Sequence, residues 1–393
     1  MKLSEHPVWL VGFRPFFILA CLSGVILPLV WALIFNAKLS VPTMSAPLIQ
    51  WHAHEMFFGF GWAVLGGFLL TSTKNWVKIR GFHGNSLIFL TCAWLFERAG
   101  MSFGANWPVF LFLISNNIFL VSLTSMIVWT LVRHRSSDSY QDNLFFIIIV
   151  PLFLISKNLI LSTEYFKLGT SMTIGIFRMA FLLMLERTLT QFMKSVFQVE
   201  ILRNSFLDYA IKGLGFLLIF ESLLPSTMLA QGLMFGLAFL LAIRFVFWKP
   251  FVAMKRIEIA VMYLGYLGII LNLLLLSPFI VEMQLQVFNI SLVGTVAVHF
   301  FTVGTMGLVI PAMIIRICNG HTGRKINFDF YNKFILWIMI LGFIFRIIGP
   351  QLIPARYTLW IFITALCWGV SFSLIAWRYV PYLLKSRIDG KEH

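Results

Sequence analysis

From Phe16 to Phe35 the chain runs for twenty residues without a charged side chain, and eleven further apolar stretches follow it at short intervals. A helix needs roughly 20 apolar residues to cross a bilayer. Inside lipid it also satisfies its own backbone hydrogen bonds, so recurrent runs of this length leave little besides a helix bundle. The expected spans lie at roughly 16–36, 51–73, 86–104, 107–132, 144–163, 169–192, 209–224, 227–247, 257–277, 287–317, 333–349 and 357–384. Composition agrees, since 60% of residues are hydrophobic and 11% charged, against roughly 25% charged in a soluble domain. The expectation is an all-α polytopic membrane bundle of about 12 transmembrane helices. Residues 1–393 form a single transmembrane domain in this reading, because no stretch is polar and long enough for a second, soluble one.

A net charge of +15 in a soluble chain would suggest nucleic acid, but no aromatic and basic surface accompanies it here. Topology explains it better, because cytoplasmic loops retain Lys and Arg. Alternate loops and the two ends hold Lys2, Arg14, Lys74, Lys78, Arg80, Arg133, Arg135, Lys194, Arg203, Lys249, Lys255, Arg256, Arg324, Lys325, Arg378, Lys385, Arg387 and Lys391. The intervening loops hold Lys38, Lys167 and Arg356. That asymmetry predicts twelve spans with both termini cytoplasmic. The first run is long and lacks a small-residue cleavage site, so it reads as a retained span rather than a signal peptide. Cys21, Cys92, Cys318 and Cys367 are scattered singly, which suggests neither a disulfide framework nor a thiolate metal site.

The densest cluster of potential ligands is Trp51-His52-Ala53-His54-Glu55-Met56, where a polar loop becomes the second span. On a helix His52 and His54 point to different faces, and His52 shares a face with Glu55 and Met56. Of the eight histidines, His6 and His393 are terminal, and His83 and His134 lie in basic loops. His52, His54, His299 and His321 remain. Neutral imidazole is a common ligand for haem iron and copper, although a histidine in a membrane helix also serves as a hydrogen-bonded packing residue. His299 lies within the tenth run, beside Phe301, Gly304 and Gly307, which form a shallow face; Thr302 is placed to orient its ring, and Met306 is a weak copper candidate against core filling. The tenth run is too long for one straight span, and Gly304, Gly307 and Pro311 predict a kink or break in it.

Charges fall inside the expected spans at Glu97, Arg98, Lys157, Arg178, Glu186, Arg187, Glu221, Arg244, Glu258, Arg316 and Arg346. Each costs several kcal/mol in lipid unless paired or wet. Arg244 and Arg316 lie near span ends and are expected to snorkel. Arg98 and Arg346 fall toward the expected outer side, so an anionic group should compensate them there.

Five stretches carry a resemblance. They are Gly12-Phe13-Arg14-Pro15-Phe16-Phe17; Trp51 to Phe60; Gly67-Phe68-Leu69-Leu70-Thr71 with Asn75-Trp76; His299 to Gly307; and Gly320-His321-Thr322-Gly323-Arg324. In them, and over nearly its whole length, the chain resembles the NnrS family of bacterial membrane proteins. The resemblance implies a twelve-span, multi-pass protein of the bacterial inner membrane that binds haem and copper and belongs to the response to nitric oxide and nitrosative stress. Carried over residue by residue, its metal histidines fall on His52, His54, His299 and His321. Membrane lipid is the implied surrounding, nitric oxide or an iron–nitrosyl species a candidate ligand, and no protein partner is implied. The sixth span departs from the family pattern at Phe177-Arg178-Met179-Ala180-Phe181, where only Arg178 survives.

A haem held by His52, His54 or His299 would turn two propionates toward the outer interface, where Arg98, Arg346 and Arg356 are expected; guanidinium suits such carboxylates. Arg98 packed against Glu97 is the alternative. Two rival functions stand beside the haem and copper reading. A respiratory-type nitric oxide reductase needs six imidazoles where four are plausible, and a secondary transporter would use a midplane polar site. Whether the chain turns over a substrate as an enzyme is open from sequence.

Overall fold

The structure is a computed structural model that describes residues 2–41, 44–277 and 292–391. Residues 287–291 of the expected tenth span, and His393, lie outside the described residues. The described chain is helical, with no strand among its residues, as the apolar runs require. Among the described residues twelve helices overlap the expected runs: α1 Phe13–Phe35, α2 Leu48–Trp76, α3 Asn85–Phe103, α4 Val109–Arg133, α5 Leu144–Leu161, α6 Phe166–Phe197, α7 Ser205–Leu217, α8 Thr227–Phe247, α9 Ile257–Leu276, α10 Val296–His321, α11 Phe330–Ile347 and α12 Tyr357–Leu383. Ten helical stretches among the described residues are long and apolar enough to cross a membrane. The two that fall short are α3, which carries Glu97 beside Arg98, and α7, which is 13 residues long and carries Asp208 and Lys212.

Helix starts follow local chemistry. The side chains of Asn204, Ser226 and Asp329 accept hydrogen bonds from the backbone N–H groups of Leu207, Leu229 and Asn332, capping α7, α8 and α11. Helix α10 ends at His321, and two residues on the φ of +79° at Gly323 lets the Arg324 N–H reach back to the Asn319 carbonyl at 2.9 Å.

The chain divides into two compact units. One comprises Met1–Thr170, Ile314–Asn327 and Phe372–His393; the other comprises Ser171–Met313 and Phe328–Ser371. Among the described residues each contains one π-helical stretch, at Glu55–Gly61 in α2 and at Thr302–Gly307 in α10. The expected break in the tenth span is therefore a local widening, after which the helix continues through Pro311 to His321. Such widenings release backbone groups from the regular ladder and recur at functional sites. In α2 the Gly59 carbonyl accepts the Trp94 indole N–H at 3.1 Å. In α10 the Thr305 hydroxyl donates to the Gly265 carbonyl of α9 at 2.7 Å.

Candidate functional site

The first unit holds a buried polar cluster built from α2, α3, α4 and α5. His54 Nδ1 lies 3.1 Å from Glu55 Oε1, and its Nε2 lies 3.4 Å from the Asn116 amide and 3.5 Å from Glu97 Oε1. Arg98 reaches Glu55 at 3.1 Å and Glu97 at 3.3 Å. Lys157 donates to Glu97 at 2.9 Å and to the Asn116 carbonyl. His54, Glu55, Glu97, Asn116 and Lys157 are at most 1% exposed. Two carboxylates thus face two cations, which is the condition under which such groups persist in lipid. Gly59 makes the arrangement possible, since a Cβ there would stand 2.6 Å from the Arg98 guanidinium.

His52 points elsewhere, as the helical spacing predicts. Its ring stacks on Trp31 at 4.1 Å and 16°. Arg98 is committed to Glu55 and Glu97, so the packed alternative describes it better than a partner for a propionate does. Both nitrogens of His54 face side chains of the cluster. Ligation through either nitrogen of His54 would displace one of these buried partners, both of which belong to the charge-balanced group.

In the second unit, His299 lies one turn before the π-helical stretch of α10 and is half-buried. Its Nδ1 is 2.7 Å from the Thr295 carbonyl and 2.9 Å from the Thr295 hydroxyl. A carbonyl only accepts, so Nδ1 carries the proton and Nε2 keeps the lone pair. Arg346 donates to Nε2 at 3.2 Å, and its guanidinium also lies 3.4 Å from the Tyr357 hydroxyl. An Nδ1–H anchored on a backbone carbonyl is the arrangement that fixes a metal-ligating histidine. Thr302, expected to orient the ring, instead hydrogen-bonds the Val298 carbonyl at 3.2 Å. Thr295 takes that role because position i−4 stacks beneath the ring on a helix.

Arg178 now has a place. It donates to Asn272 at 3.2 Å and lies 3.7 Å from Glu221, while Asn272 donates to the Ala297 carbonyl at 2.8 Å. It therefore props the start of α10 two residues before His299. Arg244 does not snorkel, because it is 1% exposed and pairs with Glu186 at 3.0 Å and Asp208 at 3.3 Å. Lys212 and Arg203 complete that group on Glu186 at 2.9 and 2.5 Å. Arg356 is exposed.

His321 lies at the end of α10, its ring 5.4 Å from that of Phe13, with Arg387 donating to its carbonyl at 3.1 Å. The charges of Lys74, Arg387 and Arg14 all bear on this ring. Among the described residues no three His, Cys, Asp or Glu side chains come together as a metal-binding group. A group of three such ligands is therefore not assembled among the described residues, whereas His299 stands alone with Nε2 turned to Arg346.

Sequence reasoning missed Asn116, Thr295 and the group around Glu186. Each had a signal: the polar triplet Ser115-Asn116-Asn117 inside an apolar run, a threonine four residues before His299, and Asp208 with Lys212 at helical i, i+4 spacing. The family described as NnrS protein matches the chain over residues 7–387. No curated protein matches it.

Proposed function

The chain belongs to the NnrS family, and from that premise we propose that it is a haem-binding protein of the bacterial inner membrane whose haem is held through His299. Membership supports a role linked to the nitric oxide response. The observation that carries the haem reading is the setting of His299, whose Nδ1 lies 2.7 Å from the Thr295 carbonyl and whose Nε2 lies 3.2 Å from the guanidinium of Arg346. Were haem held there, Nε2 of His299 would be its ligand in place of the contact with Arg346, and Arg346 and the Tyr357 hydroxyl would be left to meet an anionic group such as a propionate. Haem iron would supply the binding of nitric oxide. The residues of this chain supply the orientation of the imidazole, through Thr295, and the footing of α10, through Arg178 and Asn272. Copper rests on the resemblance alone, which assigns it among His52, His54, His299 and His321. Both termini on the cytoplasmic side, as the loop charges imply, complete the reading.

Purified protein should show a Soret band that shifts when nitric oxide is added without oxygen. Protein free of any such band, isolated from haem-replete cells, would refute the reading. In that event the buried charged groups, Glu55, Glu97, Arg98 and Lys157 in one unit and Glu186, Asp208, Lys212 and Arg244 in the other, favour a transporter.

A further inference from the structure

The group around Glu186 in the second unit shares no residue with the setting of His299, and its carboxylates are fully engaged. Glu186 Oε1 accepts from Arg203 at 2.5 Å and from Lys212 at 2.9 Å, and Oε2 accepts from Arg244 at 3.0 Å. Asp208 Oδ1 accepts from Arg244 at 3.3 Å and Oδ2 from Arg203 at 2.8 Å. All four carboxylate oxygens therefore already hold a cation.

Beside Arg244 there are donors to spare. Its Nε donates to the Tyr266 hydroxyl of α9 at 2.9 Å, while its Nη2 is buried without a hydrogen-bond partner. The Arg244 Cζ lies 4.7 Å from the centre of the Trp248 ring and 5.4 Å from that of Tyr266, and those two rings are 5.2 Å apart. The Trp248 indole N–H is also buried without a partner. The Tyr266 hydroxyl accepts from Arg244, and its own proton meets no acceptor among the described residues. Arg244, Trp248 and Tyr266 are at most 1% exposed. A buried donor left without an acceptor costs more than the bond would contribute. Three of them on neighbouring side chains mark a place built for an acceptor from outside the chain. The indole is held in position there, because the Tyr263 hydroxyl donates to the Trp248 carbonyl at 2.6 Å. The next residue, Lys249, takes a left-handed backbone at φ +54° ahead of Pro250, a conformation uncommon outside glycine.

We propose that Arg244, Trp248 and Tyr266 form a binding site for a small, weakly hydrated monovalent anion of the halide class. Guanidinium and indole are donors only, and the phenol has its proton left to give. The aromatic walls return little of the hydration that a divalent oxyanion would lose on entry, which selects against phosphate and sulfate. Arg203, whose side chain is 39% exposed, brings the same ion-paired group within reach of water. Neither His299 nor haem takes part.

The purified full-length protein is melted in detergent over a series of sodium bromide concentrations, with sodium gluconate holding the ionic strength constant. Wild type and the control Trp337→Phe, at an exposed tryptophan of α11, should show the same saturable rise in melting temperature. Trp248→Phe and Tyr266→Phe each keep an aromatic ring and delete one donor. Each should raise the half-saturating bromide concentration about tenfold, the equivalent of one hydrogen bond to a charged group. Bromide bound elsewhere, haem iron included, would act alike in wild type and variants. Should Trp248→Phe fail to fold, Tyr266→Phe carries the comparison. A wild-type melting temperature indifferent to bromide would mean that water meets the three donors, and an unchanged half-saturation in Tyr266→Phe would put the anion elsewhere; either result overturns the site.

Discussion

Replacing Lys157 by methionine tests the buried cluster of the first unit directly. Lys157 is fully buried and places its ammonium 2.9 Å from Glu97. Its loss leaves Glu55 and Glu97 facing Arg98 alone, so the cluster gains one uncompensated negative charge. Removing one partner of a buried ion pair costs about 3–5 kcal/mol. Arg98, still 3.3 Å from Glu97, offsets part of that, which puts Lys157→Met at about 2–3 kcal/mol. The second substitution, Glu97→Gln, restores charge balance, because Glu55 and Arg98 at 3.1 Å then form a matched pair. The double variant should therefore be more stable than Lys157→Met, with a coupling energy of about 1–2 kcal/mol. Unfolding midpoints of wild type, both singles and the double in detergent give the cycle. Additive midpoints, or a double variant less stable than Lys157→Met, would refute the claim that this cluster is held by charge compensation.

Gly268→Ala should destabilise by about 1–3 kcal/mol in the same assay, since its Cβ would stand 2.9 Å from the Phe300 carbonyl, a backbone atom that cannot swing aside. Asp329→Ala removes the cap of α11 and should cost about 1 kcal/mol, while Asp329→Asn should retain most of the stability. The Asp389 carboxyl is held down to about 2 by hydrogen bonds from Arg387. A depressed carboxyl stabilises the fold above its unfolded value of 3.8 and loses that contribution as pH falls toward 2. Protection of the Ile388 amide, which donates to the Thr322 carbonyl at 3.2 Å, relative to its intrinsic exchange rate at each pH, should accordingly hold from pH 5 upward and fall in Asp389→Asn at pH 7.

The helix positions were legible because twenty-residue apolar runs admit one backbone solution in lipid. Side-chain partners were legible only where they are local in sequence. His299 and Thr295 lie four residues apart, and Asp208 and Lys212 are spaced likewise. Lys157 and Glu97 come from helices sixty residues apart, and no periodicity announces which helix faces which. The same reason hid the buried pairing of Arg244: position near a span end argues for snorkelling, whereas Glu186 on α6 and Asp208 on α7 supply the opposite charge in the interior. The π-helical stretch at Thr302–Gly307 was signalled by Gly304, Gly307 and Pro311, which predicted a kink or break but not a widening, whereas the one at Glu55–Gly61 was not expected. The Gly320 to Arg324 motif looked like a ligand site for its histidine. Its glycine ends α10, and its arginine is delivered to Tyr382.

The most direct test of the central claim is haem per polypeptide in wild type, His299→Ala and His54→Ala, all purified from haem-replete cells and compared at equal folded yield. If haem is held through His299, the first substitution empties the site or shifts the Soret band strongly, and His54→Ala alters stability while leaving haem content near that of wild type. Full haem occupancy with an unchanged spectrum in His299→Ala, together with loss of haem in His54→Ala, would contradict the account and move the axial ligand to the first unit.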